Sequence, residues 1–248
     1  MKSQRVKRLC KQHGSYTASV RVKVGEMVIY SACPSCEEVR KEIRSDAEKR
    51  TKEAINLQWH NALPPGLHLP NRFEGGFEVY EIATTDQQKL VTNLKAFVRD
   101  FDRHQASGIN LVLQGKAGTG KTHLSASVGS EIRKAGYRVI FSTARFIASL
   151  LKRAVERNDM AFWQKVTQEC DLLILSEVGT TMPDDEHHRV LFDLIDARYE
   201  NKRCMICTTN LTTEELDRYL GQQLVRRITN NHLMLLPFKW EPYGGIQI

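Results

Sequence analysis

The eight residues Gly115-Lys116-Ala117-Gly118-Thr119-Gly120-Lys121-Thr122 carry the plainest chemistry in the sequence. They spell GxxxxGK[ST] and lie between the apolar run 110 to 113 and a stretch with helical spacing. Glycines at these positions let the backbone curl so that successive N–H groups, together with a helix N-terminus, converge on one bound polyphosphate. Lys121 adds positive charge at the outer phosphates, and the Thr122 hydroxyl is the expected magnesium ligand. The pattern predicts a nucleotide-binding site.

Hydrolysis by such a site needs a second strand ending in an acidic pair, one carboxylate for the magnesium shell and one to orient the attacking water. The candidate is Asp171-Leu-Leu-Ile-Leu-Ser176-Glu177, in which Ser176 stands where an aspartate is expected and Glu177 remains. A hydroxyl can hydrogen-bond a metal-bound water but lacks the charge that offsets a divalent ion. Asp171 cannot substitute, because five residues along a strand is about 16 Å. Asp184 and Asp185 follow in the next loop. The strand 203 to 208 runs into Thr209-Asn210, which places Asn210 at a strand carboxyl end, where sheets of this class meet their ligands. Cys204 and Cys207 have metal-like spacing, yet residues three apart on a strand point to opposite faces, so packing is their expected role.

A different chemistry is written near the N-terminus. Cys10-x2-His13 and Cys33-x2-Cys36 form a Cys3His set, with tight pairs at both ends of an expected hairpin. A core of about 40 residues needs such a staple. The expectation is one structural zinc with no open coordination position. Towards the other end, Arg226 and Arg227 close an expected helix over 213 to 229. Two readings stand side by side: a cation reaching the γ-phosphate of a neighbouring subunit, or a basic helix end complementing its own dipole.

The elements that must position these groups follow from periodicity. Residues 19 to 24 and 26 to 30, split by Gly25, read as a hairpin. Residues 37 to about 60 are charged and helical, with Val39, Ile43, Ala47, Ala54 and Leu57 on one narrow face. This is either a solvated linker or a partner-binding helix. Leu63-Pro-Pro-Gly66 breaks it. Beyond lie a helix over 86 to 103, a strand over 109 to 113 and an alternation of helices (121 to 135, 144 to 157, 185 to 200) with strands (137 to 142, 171 to 175, 203 to 208). That rhythm predicts a parallel sheet covered on both faces. The expected organisation is thus a zinc module at 1–36, a charged linker helix at 37–61 and an α/β core at 62–248.

With 248 residues, 41% hydrophobic and 26% charged, the chain can build an ordinary globular core. No apolar run approaches the roughly 18 to 20 residues that cross a bilayer, so a cytoplasmic protein with no membrane partner is expected. Residues 1 to 60 hold 13 Lys and Arg against 7 Asp and Glu. That excess points to an acidic partner, nucleic acid first.

Together these residues resemble the DnaC-type helicase loaders of the AAA+ superfamily and the related transposon ATPases called IstB. The resemblance covers roughly 62 to 248. It rests on GKAGTGKTHL at 115 to 124, DLLILSEVG at 171 to 179 where the family usually has DLLVIDEIG, TTN at 208 to 210, LGQQLVRRI at 220 to 228, and the ending Lys239-Trp240-Glu-Pro-Tyr243. It implies an AAA+ parallel sheet without a C-terminal helical lid, and a nucleotide loop from Gly115 through Thr122 and His123. It also implies Glu177 as the water-orienting glutamate, Asn210 as the sensor and Arg227 as the box VII arginine finger, although Gln223 and Arg226 differ from the usual arginine and aspartate. The stretch 70 to 77 resembles the segment that packs on adenine. The N-terminal CxxHG and CPxC pairs are similar to modules on phage and prophage members of the group.

The implied protein binds ATP and magnesium, grips a hexameric DnaB-type replicative helicase through its N-terminal region, holds single-stranded DNA on its core and self-assembles or assembles on the helicase ring. Ser176 leads us to expect ATP binding with slow turnover. Two alternatives share most of these motifs: an IstB-like transposition helper, and a non-hydrolysing, ATP-sensing nucleic-acid adaptor.

Overall fold

The computed structural model describes residues 5–24, 27–73, 75–180, 185–229 and 233–242. It divides into two compact units, Met1–Ile55 and Asn56–Ile248.

In the first unit, β1 (Arg5–Cys10), β2 (Gly14–Val24) and β3 (Met27–Tyr30) form an antiparallel sheet in the order β1-β2-β3. The expected hairpin is its second half, and Gly25 and Glu26 lie outside the described residues. β1 is an addition to the sequence reading. Residues 5 to 10, rich in Lys and Arg, pair with the start of β2 from Arg5 opposite Ser19 to Cys10 opposite Gly14. Gly14, at φ 74°, supplies the left-handed residue that lets the chain reverse after the Lys11–His13 turn. Helix α1 (Pro34–Asn61) begins on a proline, whose missing N–H costs nothing in a first turn. Its apolar face stays open, with Ile43 64% and Leu57 63% exposed.

The last turn of α1 belongs to the second unit, so the contact boundary falls at Asn56, inside the helix and six residues before the break anticipated at 62. The reason is visible in the side chains. Trp59 and His60 are buried, and His60 accepts the Val139 N–H on Nε2 while its Nδ1 bonds the Asn56 carbonyl. Burial holds this imidazole below its ordinary pKa, in keeping with a neutral ring that uses both nitrogens.

The second unit contains α2 (Thr85–Arg99), α3 (Phe101–Ser107), β4 (Asn110–Gly115), α4 (Lys121–Lys134), β5 (Val139–Thr143), α5 (Ala144–Glu156), α6 (Met160–Gln164), β6 (Leu172–Val178), α7 (Asp185–Glu200), β7 (Cys204–Thr209), α8 (Thr213–Leu220), α9 (Gln222–Thr229) and β8 (Leu233–Phe238). Five parallel strands pair in the order β5-β6-β7-β4-β8, which puts the strand feeding the phosphate loop between β7 and β8. Alternate residues of β4, β5, β6 and β7 divide between two cores. Leu173 and Leu175 of β6 join Ile147, Leu151, Leu194 and Ile195 of α5 and α7. Leu172 and Ile174 face Leu94, Leu124 and Ile132 of α2 and α4. Helices on both faces of a parallel sheet are the α/β layering that the strand and helix rhythm requires.

Several boundaries differ from the sequence reading, each for a local cause. The single helix expected over 86 to 103 is two, jointed at Asp100, and Thr84 opens the first with a capping box to Gln87. The helix expected over 213 to 229 is also two. It breaks at Gly221, whose φ of 81° no helix continues. Strand β8 was not anticipated. As an edge strand it tolerates Pro237, which has no N–H to donate to the ladder. Cys204 and Cys207 are buried in opposite cores, as the strand period demands, and burial pushes both thiols up to about 12. Arg198, fully buried, donates to the carbonyls of Val166, Cys170 and Cys204, tying α7 to the π-helical turn before β6 and to the start of β7.

Candidate functional site

The phosphate loop runs from the end of β4 to the first turn of α4. Gly115 must lack a side chain, since a Cβ there would meet the Phe238 carbonyl oxygen at 2.5 Å. Gly120 sits at φ 92°, and a Cβ would strike the Tyr80 ring at 2.7 Å. Lys121 is 6% exposed. Its Nζ donates to the carbonyls of Gly115 and Lys116, 2.6 Å each, so the backbone of the loop holds the ammonium in place. Burial lowers its pKa to about 8. Thr119 donates its hydroxyl to the Lys116 carbonyl at 2.8 Å, which tightens the curl.

The outer side of the loop is strapped by the segment after β8. Trp240 Nε1–H donates to the Thr119 carbonyl at 3.0 Å, Glu241 pairs with Lys116 at 2.7 Å, and Pro242 lies beside Gly118. Lys116 and Glu241 are well exposed, so the tryptophan hydrogen bond and the packing hold the strap more than the ion pair does.

A cleft of about 600 Å³ opens over this loop. Ala117, Gly118, Gly120, Lys121, Thr122 and His123 form its floor, while Glu177, Thr180, Thr208 and Asn210 form one wall. Arg72, Phe73, Val79, Tyr80 and Glu81 form the other. His123 braces that second wall. Its ring stacks on Phe73 at 5.1 Å, meets Tyr80 edge-on at 5.4 Å, and bonds the Gly76 carbonyl through Nε2 at 2.9 Å. Arg72 lies 4.7 Å above the Phe73 ring. A flat aromatic and cationic wall beside a phosphate loop suits a purine base. Phe77 of the same segment is buried in the core, and Glu74 lies outside the described residues.

Glu177 reaches the cleft through an unusual backbone. The β6–β7 register breaks between Leu175 and Val178, and Glu177 takes φ 60°, left-handed for a residue with a side chain. Its N–H is caught by the Thr208 hydroxyl at 3.1 Å. Such strain, of order 1–3 kcal/mol, gathers at functional sites. Here the bulge turns a carboxylate toward the cleft that a regular strand would place elsewhere. Ser176 is 2% exposed, pairs with Thr143 and is not among the residues lining the cleft. Asp171 bonds Gln105, the Arg138 N–H and Arg203 at the far end of the strand. Asp184 and the Asp185 side chain lie outside the described residues.

Arg227 stands apart from this cleft. Its guanidinium is ion-paired within the same chain to Asp196, and to Glu200 at 3.6 Å, both on α7. The side chains of Gln223 and Arg226 lie outside the described residues. Val79, Tyr80, Glu81 and Thr180 complete the cleft and were not singled out from the sequence, whereas Arg72 belongs to the stretch at 70 to 77 and Thr208 to the polar strand end at 208 to 210.

In the first unit the ligand atoms of Cys10, His13, Cys33 and Cys36 lie within 4.8 Å of one another. Cys10 and Cys36 sulfurs are 3.5 Å apart, and His13 Nδ1 is 3.2 to 3.8 Å from the three thiols. A zinc tetrahedron with bonds of about 2.3 Å has edges of about 3.8 Å, so the set fits that ion and leaves no position for a substrate. Backbone N–H groups of Gln12 and His13 pull the Cys10 thiol down to about 6, while contact with Cys10 pushes Cys36 up to about 11. The two compete for one proton, a conflict that a bound divalent cation removes by holding both as thiolates.

A parallel five-stranded sheet with a phosphate loop after β4, Asn210 at the end of the adjacent strand β7 and an acidic residue at the end of β6 beyond it defines an AAA+ type P-loop nucleotide-binding protein. The match to the family described as IstB-like ATP binding protein spans residues 69–232. The chain belongs to this family, in its DnaC-type branch. It is 27% identical over 203 residues to the replicative helicase loader DnaC of Escherichia coli (strain K12), covering 81% of each chain. It is 26% identical over 242 residues to the uncharacterized protein YdaV of the same strain, covering 97% of this chain and 92% of that one. In fold it is similar to the crystal structure of the DnaC helicase loader, with TM-score 0.62 and 24% identity over 68% of this chain and 99% of that chain. It is also similar to DnaI, with TM-score 0.58 and 16% identity over 69% and 95%.

Proposed function

We propose that this chain is an ATP-dependent loader of a DnaB-type replicative helicase, acting with single-stranded DNA at the start of replication. The observation that carries the reading is a complete nucleotide cleft, with Lys121, Thr122, Glu177 and Asn210 around one volume, in a chain aligned over four fifths of its length with a helicase loader. Magnesium, held through Thr122, would supply charge compensation at the phosphates. Lys121 binds the outer phosphates, Glu177 orients the attacking water and Asn210 senses the γ-phosphate. The Cys3His module forms a structural zinc unit at 1–36, and residues 37–61 join it to the core at 62–248.

Arg227 serves a neighbouring subunit's nucleotide once assembly draws it from Asp196. ATP occupancy thereby decides whether subunits can meet. Turnover is slow, because at position 176 a buried hydroxyl replaces a metal-directed carboxylate. Each tenfold in rate corresponds to about 1.4 kcal/mol of transition-state stabilisation.

Capture with purified replicative helicase, with and without ATP, is the test. ATP-dependent binding lost in Lys121→Ala supports the reading. Capture of a transposase instead would favour the transposition helper, and binding indifferent to both ATP and Lys121 would leave only an adaptor. Ser176→Asp should raise DNA-stimulated hydrolysis about tenfold or more; an already vigorous wild-type rate, unchanged by the substitution, rejects the role given to Ser176.

A further inference from the structure

Residues 1 to 25 contain seven Lys and Arg and no Asp or Glu. The sheet sorts some of these cations onto one side. Arg5 lies opposite Ser19, Lys7 opposite Thr17 and Leu9 opposite Ser15, and directly opposed residues share a face. The reverse face is a different environment. There Ala18 is fully buried, and the Arg8 guanidinium lies 4.0 Å over the Tyr30 ring. On the first face Arg5, Lys7, Ser15 and Thr17 are exposed, as is Leu9 at 81%. Among the described residues neither Arg5 nor Lys7 has a carboxylate partner, whereas Arg21, further along β2, is paired with Glu37.

Two unneutralised cations flanked by hydroxyls, with no acidic residue in the segment, make a surface complementary to a polyanion. Their spacing narrows the choice. Arg5 and Lys7 are two residues apart on one strand, about 7 Å, comparable to the step between successive phosphates of an extended single strand. The six residues of this face include no aromatic ring on which a base could stack, so the contact is with the backbone and indifferent to sequence. We propose that this face of the N-terminal sheet binds the phosphate backbone of a single-stranded nucleic acid running along β1, with Arg5 and Lys7 on neighbouring phosphates and Thr17 and Ser15 donating hydrogen bonds. The contact uses a face separate from the nucleotide cleft, is additional to the single-stranded DNA named in the loader reading, and does not depend on the helicase partner.

The test uses the zinc-loaded full chain and a fluorescein-labelled oligo-dT, with anisotropy titrations across a series of salt concentrations. Arg5→Ala/Lys7→Ala should lower the slope of log K against log salt by about 1.4, since each phosphate on a single strand contributes about 0.7, and should weaken binding roughly tenfold near physiological salt. Arg5→Glu/Lys7→Glu should weaken it further. Arg5→Lys/Lys7→Arg should keep the wild-type slope. Zinc content and ATP affinity, unchanged in all three, separate lost contacts from lost folding. Unaltered slope and affinity in the first two variants overturn the proposal. So does loss of capture of an acidic protein while oligo-dT binding persists, because the face would then serve that partner.

Discussion

ATP affinity should weaken steeply above pH 8 because of Lys121. Burial lowers this lysine from 10.5 to about 8. Phosphate oxygens beside the ammonium favour the charged form and return its pKa toward the ordinary value. Between these limits binding takes up a proton, so affinity falls tenfold per pH unit, about 1.36 kcal/mol each. From about pH 7.5 to about pH 9.5 the loss is roughly twentyfold. Folding stability moves in the opposite direction. The unfolded chain holds this proton up to about 10.5 and the folded chain releases it near 8, so the unfolded state binds more protons in that window. Stability therefore rises with pH there, by up to about 3 kcal/mol from this group. Titrations with a fluorescent ATP analogue at constant ionic strength read the first effect, and urea midpoints of wild type against Lys121→Met read the second. Lys121→Arg, whose guanidinium stays charged, should bind with little pH dependence. A flat wild-type profile across the window, or an equal slope in the arginine variant, would refute the assignment of the proton to Lys121.

Glu177→Asn should raise the urea midpoint by the equivalent of about 1 kcal/mol, because asparagine tolerates the left-handed backbone, while abolishing hydrolysis and leaving ATP binding intact. Arg198→Leu strips three buried carbonyls of their donor and should cost about 3–5 kcal/mol in denaturant unfolding, with nucleotide affinity in the surviving folded fraction unchanged. Removing zinc with a strong chelator should release one equivalent of metal and make the segment before α1 sensitive to protease, while the core keeps its ATP affinity; protection that survives chelation would show that the sheet does not need the ion.

The parts of the fold read from sequence were those in which one physical signal dominates. β4 and β6 are continuous apolar runs buried on both faces, and the glycine spacing of 115 to 122 has no purpose other than a phosphate cradle. The Cys3His set was legible because ligand chemistry fixes both residue type and spacing. What escaped is what neighbours decide. β1 is a short basic stretch that becomes a strand only when β2 supplies its hydrogen bonds, and β8 carries a proline that only an edge position accommodates. Of the cleft's second wall, Arg72 and Phe73 were marked only by resemblance, since their short 3-10 turns have no period, and the part played by Tyr80 and by His123 from another element escaped. The left-handed Glu177 is dictated by a register shift between two strands, which neither strand encodes alone.

The strand order also constrains how the chain comes together as it is made. β4 leads into the phosphate loop, yet its partners are β7 and β8, whose pairing residues begin at Ile206 and Leu233, some 95 and 123 positions after theirs on β4. A ribosome adding about 5–20 residues per second therefore leaves β4 unpaired for roughly 5–20 seconds after it is polymerised. Until then the nascent chain carries apolar Leu111, Val112 and Leu113 with neither flank covered, and the loop lacks its Trp240 strap. ATP is thus a ligand of the finished molecule, unable to assist its early folding, and protection during synthesis has to come from elsewhere in the cell.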